Sequence, residues 1–258
     1  MSLRSIRRRL KVPAPAQQEL FKSPGGKRPR AGRPPNGKRA GSPHKRRPVL
    51  KDRHPVHVVL RVVPEMGNLR KRDIYKAVRW ATLTAAAREN FRIVHLSIQH
   101  NHVHLLVEAE HRMALARGMQ GFQISAAKLM NAAISARMGL EHRRRGQVFA
   151  DRYHAEIIDS PRRARHALSY VLNNWRKHKE DRSQIARTWL IDPFSSAITF
   201  PHWKEREHEP LLWRARASYD PLIVYQPRTW LLREAWKRHG LISFREVPGQ
   251  SVGQRAAR

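Results

Sequence analysis

The sequence contains no cysteine. That absence excludes disulfides, thiolate catalysis and cysteine-based zinc sites, so any metal must rest on His, Asn, Gln, Asp or Glu. Acidic residues are scarce as well: 20 Asp and Glu stand against 52 Lys and Arg, a formal charge of +32 that exceeds anything solubility requires. A polyanionic partner follows, with nucleic acid first and an acidic membrane second. No apolar run approaches the roughly 20 residues of a membrane span, and Met1 to Leu10 lacks the apolar core of a secretion signal. A cytoplasmic protein without a membrane partner is the expectation, nucleoid-associated when bound to DNA. No glycine-rich phosphate-binding loop and no internal repeat is visible. A hydrophobic content of 40% over 258 residues suffices for one core with an appended subdomain.

The first 53 residues are poor in what a core needs. They hold 17 Lys and Arg, only Glu19 and Asp52 as acids, eight of the 17 prolines, and Phe21 as the single aromatic. Such a segment cannot bury enough apolar area to offset its ordering entropy, and 1–53 reads as a disordered basic tail suited to sequence-independent phosphate contact. Order is expected from His54. Val56, Val58, Leu60 and Val62 alternate with polar or exposed positions as in a half-buried strand. Asp73 then stands as an N-cap before Ile74, Ala77, Val78, Ala81 and Ala85 on one helical face. Val94, Leu96 and Ile98, then Val103, Leu105 and Val107, form two alternating runs read as a hairpin. The spacing of Phe122, Ala126, Leu129 and Ala133 predicts a helix over about 112–138. Val148 to Ile158 reads as a further strand, and Ser160-Pro161 opens a third helix running to about Lys179.

This order predicts an α+β domain, an antiparallel sheet with helices packed on one face, over 54–180. Beyond it, 181–258 is a Trp-rich extension with five of the seven tryptophans, Trp189, Trp203, Trp213, Trp230 and Trp236. They read as packing anchors ahead of base-stacking platforms. Thr229 to His239 looks helical and closed by Gly240.

The chemistry centres on Gln99-His100-Asn101-His102-Val103-His104-Leu105. With 15 histidines in the chain, a His-x-His pair arises by chance about once, so the bare motif says little. Its place on a strand says more, because residues two apart share a face and both imidazoles of His102 and His104 can reach one metal. Taken alone, the motif reads first as polar outward residues of an ordinary half-exposed strand. His100 is the poorer ligand, and His57 and His95 read as structural. On the third helix Ala164, Leu168, Val171, Leu172 and Trp175 form the apolar face, whereas Arg163, Tyr170, Asn174 and Lys177 form a polar stripe. Tyr170 is thereby available for chemistry, and Asn174, one turn on, can present a carbonyl oxygen beside the phenol. Tyr153, in Asp151-Arg152-Tyr153-His154, is its competitor.

These two motifs, His102-Val103-His104 followed by Leu105-Leu106-Val107, and Tyr170-Val171-Leu172-Asn173-Asn174, resemble those of the single-tyrosine HUH transposases. The likeness covers about residues 54–180 and is nearest to the REP-associated tyrosine transposase branch of the IS200-like transposases. Many members of that branch have a proline after the asparagine, where this sequence has Trp175. The resemblance implies a ferredoxin-like HUH nuclease fold and a Mg²⁺ or Mn²⁺ ion on His102, His104 and Asn174. It implies Tyr170 as the nucleophile and a 5′-phosphotyrosine intermediate on single-stranded or hairpin DNA, in a monomer or homodimer. Arg53, Arg61, Arg163 and Lys177 are the candidate DNA-binding residues. Two rivals stand beside it. A two-histidine RNA phosphoesterase would use His95-Leu96-Ser97 as one of its paired units, although no convincing second copy exists. A non-catalytic, domesticated DNA-binding protein would keep the fold and the charge without the cleavage.

Overall fold

The computed structural model describes residues 49–86, 88–184, 186–206 and 219–249. The expected basic tail, up to residue 48, and Trp213 lie outside the described residues. Leu50 already packs in the core, so packed structure is present ahead of His54.

The elements run β1 (Val56–Arg61), α1 (Arg72–Ala86), β2 (Phe91–Ile98), β3 (His102–Ala109), α2 (Arg112–Met138), β4 (His154–Ile157), α3 (Pro161–Lys177) and the short α4 (Trp230–Arg233). The four strands form one antiparallel sheet in the order β2-β3-β1-β4. With a helix after β1 and another after β3, this is the ferredoxin-like β-α-β-β-α-β arrangement. Period-two alternation assigns each strand residue to a side. Val56, Val58, Leu60, Val103, Leu105 and Val107 turn to the side covered by α1 and α2, where the larger hydrophobic cluster lies.

The opposite side is covered too, and here the expectation of helices on one face holds for α1 and α2 and not for α3. The apolar residues of α3, Ala164, Leu168, Val171 and Leu172, pack against Val94 and Leu106 on that second side. Ile191, Phe200, Trp203, Leu231, Leu232, Trp236, Ile242 and Phe244 of the C-terminal extension join the same cluster. A helix whose apolar arc is this wide needs cover from two directions, so α3 lies between sheet and extension. The extension belongs to the same compact unit as the sheet.

Local differences from the sequence reading have identifiable causes. A bulge between Ile93 and His95 changes the phase of β2, which puts Val94 on the α3 side while Leu96 and Ile98 stay on the other. The segment read as a strand from Val148 pairs only at Val62–Phe149 before β4 begins at His154. Because α1 starts at Arg72, Asp73 sits in its first turn and not at the cap, and its carboxylate accepts from Arg137 at 2.7 Å. Ser160 does cap α3, with Pro161 in the first turn, and α2 ends on Gly139 at φ 62°. The run from Thr229 divides at Glu234 into α4 and a 3₁₀ turn, Ala235–His239. Within α2, Gly118 lies against the Phe91 ring, where a Cβ would come within 2.2 Å of it. Of the tryptophans, Trp175, Trp203 and Trp236 are buried anchors, whereas Trp230 is exposed beneath the Arg238 guanidinium.

Candidate active site

The second side of the sheet carries the polar residues. In the β1–β3 register His104 lies opposite Val59 and His102 opposite Arg61, while His57 lies opposite Leu106, so all of these side chains share the side that α3 covers. α3 enters under the Ser160 cap, buries its apolar arc, and brings Tyr170 and, just past its end, His178 to the histidines, with Asn174 midway between them along the helix. The result is a tight ring cluster. Tyr170 meets His104 edge-on with centroids 5.2 Å apart and His57 at 5.7 Å. His102 lies 4.6 Å from His104 and 5.3 Å from His178, and Lys177 Nζ stands 4.6 Å over the Tyr170 ring.

The hydrogen bonds of the two motif histidines share a pattern. His102 Nδ1 is 2.7 Å from Asn101 Oδ1, and His104 Nδ1 is 3.1 Å from His57 Nε2. Since Asn Oδ1 only accepts, His102 carries its proton on Nδ1 and leaves Nε2 with a free lone pair. Burial, with neighbouring positive groups adding to it, holds the cluster neutral. Desolvation lowers His57 and His102 to about 4, with His154 contributing at His57, and His178 and Arg61 at His102. His104 falls to about 2, from desolvation first and then from His57, His102, His178 and Lys177.

Three buried side-chain atoms, on His104 and on Asn174 one helical turn after Tyr170, have no partner: His104 Nε2, Asn174 Oδ1 and Asn174 Nδ2. Asn174 is fully buried. Buried polar groups are ordinarily paired, and when one is not it calls for a functional explanation. An amide oxygen suits Mg²⁺ and Mn²⁺, and neutral imidazole nitrogens suit first-row transition metals, so the mixed donor set fits a divalent ion and fits Mn²⁺ better than Mg²⁺. Among the described residues no group of three or more His, Cys, Asp and Glu is arranged to hold a metal; the third ligand expected from the sequence, Asn174, is an amide and is not counted in such a group.

The remaining candidates divide. Arg61 borders His102, and Lys177 covers Tyr170. Arg163 lies near the start of α3, two turns before Tyr170, and is engaged by Asp159 at 3.1 Å and Glu156 at 3.4 Å. Arg53 precedes β1 at the far end of that strand from Arg61 and His102. Tyr153 packs on the α1/α2 side, away from the histidines. His100 is exposed, and His95 is buried against Ser196 Oγ at 3.1 Å. Two residues that sequence reasoning did not place in the site are His57 and His178. The second could have been found, because it continues the Tyr170–Asn174 spacing by four residues.

Residues 51–174 match the family model described as IS200-like transposase. Over those residues, a little under half of the chain, the protein is similar to the IS200-like transposases. The matched region ends at Asn174 and contains His57, His102, His104 and Tyr170. A solved structure of a REP-associated tyrosine transposase bound to a REP hairpin is similar over 71% of this chain and 100% of its own, at 16% identity and a TM-score of 0.47. Comparison with curated proteins found no match. At the position after Asn174 stands the buried Trp175, with the Arg176 guanidinium over its ring, and α3 continues to Lys177.

Proposed function

We propose that this protein is a transposase that cuts and rejoins single-stranded or hairpin DNA through a covalent bond between Tyr170 and a 5′-phosphate. The observation that carries the reading is the edge-on contact of Tyr170 with His104, whose buried Nε2 has no partner, together with the buried, unpartnered amide of Asn174 one helical turn after Tyr170. In the cleavage step Tyr170 Oη forms a bond to phosphorus as the bond to the 3′-oxygen breaks. The phenol loses a proton, the 3′-oxygen gains one, and a free 3′-hydroxyl remains. Rejoining is the reverse, so no nucleotide hydrolysis is needed.

A phenol with pKa about 10 is a weak nucleophile at neutral pH, and the phosphate therefore has to be activated. His102, His104 and Asn174 would hold the Mg²⁺ or Mn²⁺ ion, which supplies polarisation of a non-bridging phosphate oxygen. The chain's own part is positioning. The α3 scaffold holds Tyr170 against the histidine side of the sheet, and Lys177 places a cation over its ring. Arg61, beside His102, is available to a phosphate, whereas Arg163 is already occupied by two carboxylates. The REP-associated branch and a hairpin substrate remain part of this proposal, as does a cytoplasmic site of action. The unit required by a two-histidine phosphoesterase is closed off, since His95 bonds Ser196 and lies beneath Phe200.

The test is incubation with labelled single-stranded hairpin DNA and Mg²⁺ or Mn²⁺, followed by peptide mapping of the trapped adduct. A nucleotide remnant on Tyr170 is expected. A remnant on Tyr153, or cleavage that survives chelation, would overturn the assignment.

A further inference from the structure

The partner of His104 comes from another strand. His57 lies one pleat along β1 from the residue facing His104, and the shared side of the sheet lets the two imidazoles meet at 3.1 Å, nearly stacked, with ring planes 23° apart. A neutral imidazole has one N–H and one lone pair, so this hydrogen bond has two possible directions. If His57 donated, His104 would carry its proton on Nε2, which is buried and has no acceptor. Buried N–H groups without an acceptor are rarer than unsatisfied acceptors. If His104 donates, Nε2 is left as a bare lone pair, and the proton of His57 resides on Nδ1, which is not among the buried atoms lacking a partner. His102 shows the same polarity, with Asn101 Oδ1 accepting at Nδ1. One motif histidine is thus oriented by its sequence neighbour and the other from 47 residues away.

We propose that His57 is a positioning residue: it accepts the Nδ1 proton of His104 and so keeps the Nε2 of His104 unprotonated and directed at the ion site between β3 and α3. The inference rests on the reading of His104 as a metal ligand. It goes beyond that reading by making the ligand's tautomer and ring orientation depend on β1. Outer groups that accept from a ligating histidine both select the tautomer and raise the basicity of the ligating nitrogen, and their loss typically costs about 10- to 100-fold in metal affinity.

The experiment uses the full chain with ¹⁵N-labelled histidine and has two arms. In metal-free protein, long-range ¹H–¹⁵N correlation spectra report which nitrogen of His104 is protonated; Nδ1–H is expected. In the second arm Mn²⁺ alone is titrated and followed by electron paramagnetic resonance. His57→Leu, which keeps bulk without an acceptor, is expected to weaken Mn²⁺ binding about 10- to 100-fold. His57→Gln, whose Oε1 reaches a comparable position, is expected to restore most of it and to keep the Nδ1–H form. An Nε2–H tautomer in the parent protein, or a His57→Leu protein that binds Mn²⁺ as tightly as the parent, overturns the proposal. Absence of Mn²⁺ binding by the parent protein refutes the ligand reading itself, and the tautomer arm then decides alone whether His57 sets the state of His104.

Discussion

Replacement of Asn174 by alanine should raise the stability of the metal-free protein while ending its chemistry. Asn174 is fully buried in α3 with neither amide atom bonded. On protein mutational data, an amide buried without a compensating bond costs about 1–3 kcal/mol. Alanine removes that cost and adds roughly 0.5 kcal/mol of helix propensity. Against this stands a cavity of about 25 Å³, worth about 0.6 kcal/mol at the usual cost per unit volume. The balance favours Asn174→Ala by about 1–3 kcal/mol, which for a domain of this size is a rise in Tm of about 2–4 °C per kcal/mol. Thermal unfolding followed by circular dichroism in EDTA, and again in excess Mn²⁺, provides the assay. In EDTA the variant should melt above the parent. In Mn²⁺ the parent should gain stability by mass action, and the variant should gain much less. Adduct formation with hairpin DNA should disappear. A variant that melts below the parent in EDTA would show that the amide is satisfied in the native protein. Equal Mn²⁺ stabilisation of both would show that Asn174 is not a ligand; either result refutes the reasoning.

Tyr170→Phe should abolish adduct formation with little change in DNA affinity or Tm, whereas Tyr153→Phe should still yield adduct; denaturing gels and binding isotherms read both. Gly118→Ala should destabilise despite the better helix propensity of alanine, by about 1–3 kcal/mol in chemical denaturation, because the new Cβ meets the Phe91 ring at 2.2 Å. Stability of the metal-free protein should fall as pH drops from about 6.5 toward 4. The native state holds His57, His95 and His102 near 4 and His104 lower still, so the unfolded state binds more protons throughout that window. The buried His95 and His104 each contribute a slope of at most about 1.4 kcal/mol per pH unit and the partly buried His57 and His102 less, so a flat denaturation profile over this range would contradict the neutral cluster. Deletion of residues 1–48, which carry 15 Lys and Arg against Glu19 alone, should weaken DNA binding at all sequences. The log–log salt slope should decrease by about 0.7 per lost phosphate contact, and an unchanged slope would show that the segment does not touch DNA.

Much of this molecule was determined locally, and those parts were legible in the sequence. The period-two runs of β1 and β3 placed His102 and His104 on one side of a strand. The 3.6-residue spacing of α3 separated Tyr170 and Asn174 from Leu168, Val171 and Leu172, and Ser160-Pro161 marked where that helix begins. Each signal acts over a few residues and depends only on backbone geometry and the apolar pattern. The bulge in β2 was not legible, since one extra residue changes the phase of a strand without changing its composition. Nor was the side of the sheet on which α3 lies. The wide apolar arc of that helix was visible, but the partners that fill it, Trp203, Trp236 and Phe244, come from the C-terminal extension and meet it only in the folded chain. Asn174 could be proposed as a ligand from its spacing, yet its burial without a partner is a property of everything packed around it. His57 is the clearest case. On β1 it is one more polar residue of an alternating strand, and its role follows from the β1–β3 register, which sets its Nε2 against a histidine 47 positions later. The sequence by itself determined which residues could do chemistry, because periodicity is a short-range property; which of them meet was decided by strand register and by the packing of α3 between sheet and extension, which depend on contacts across the whole chain.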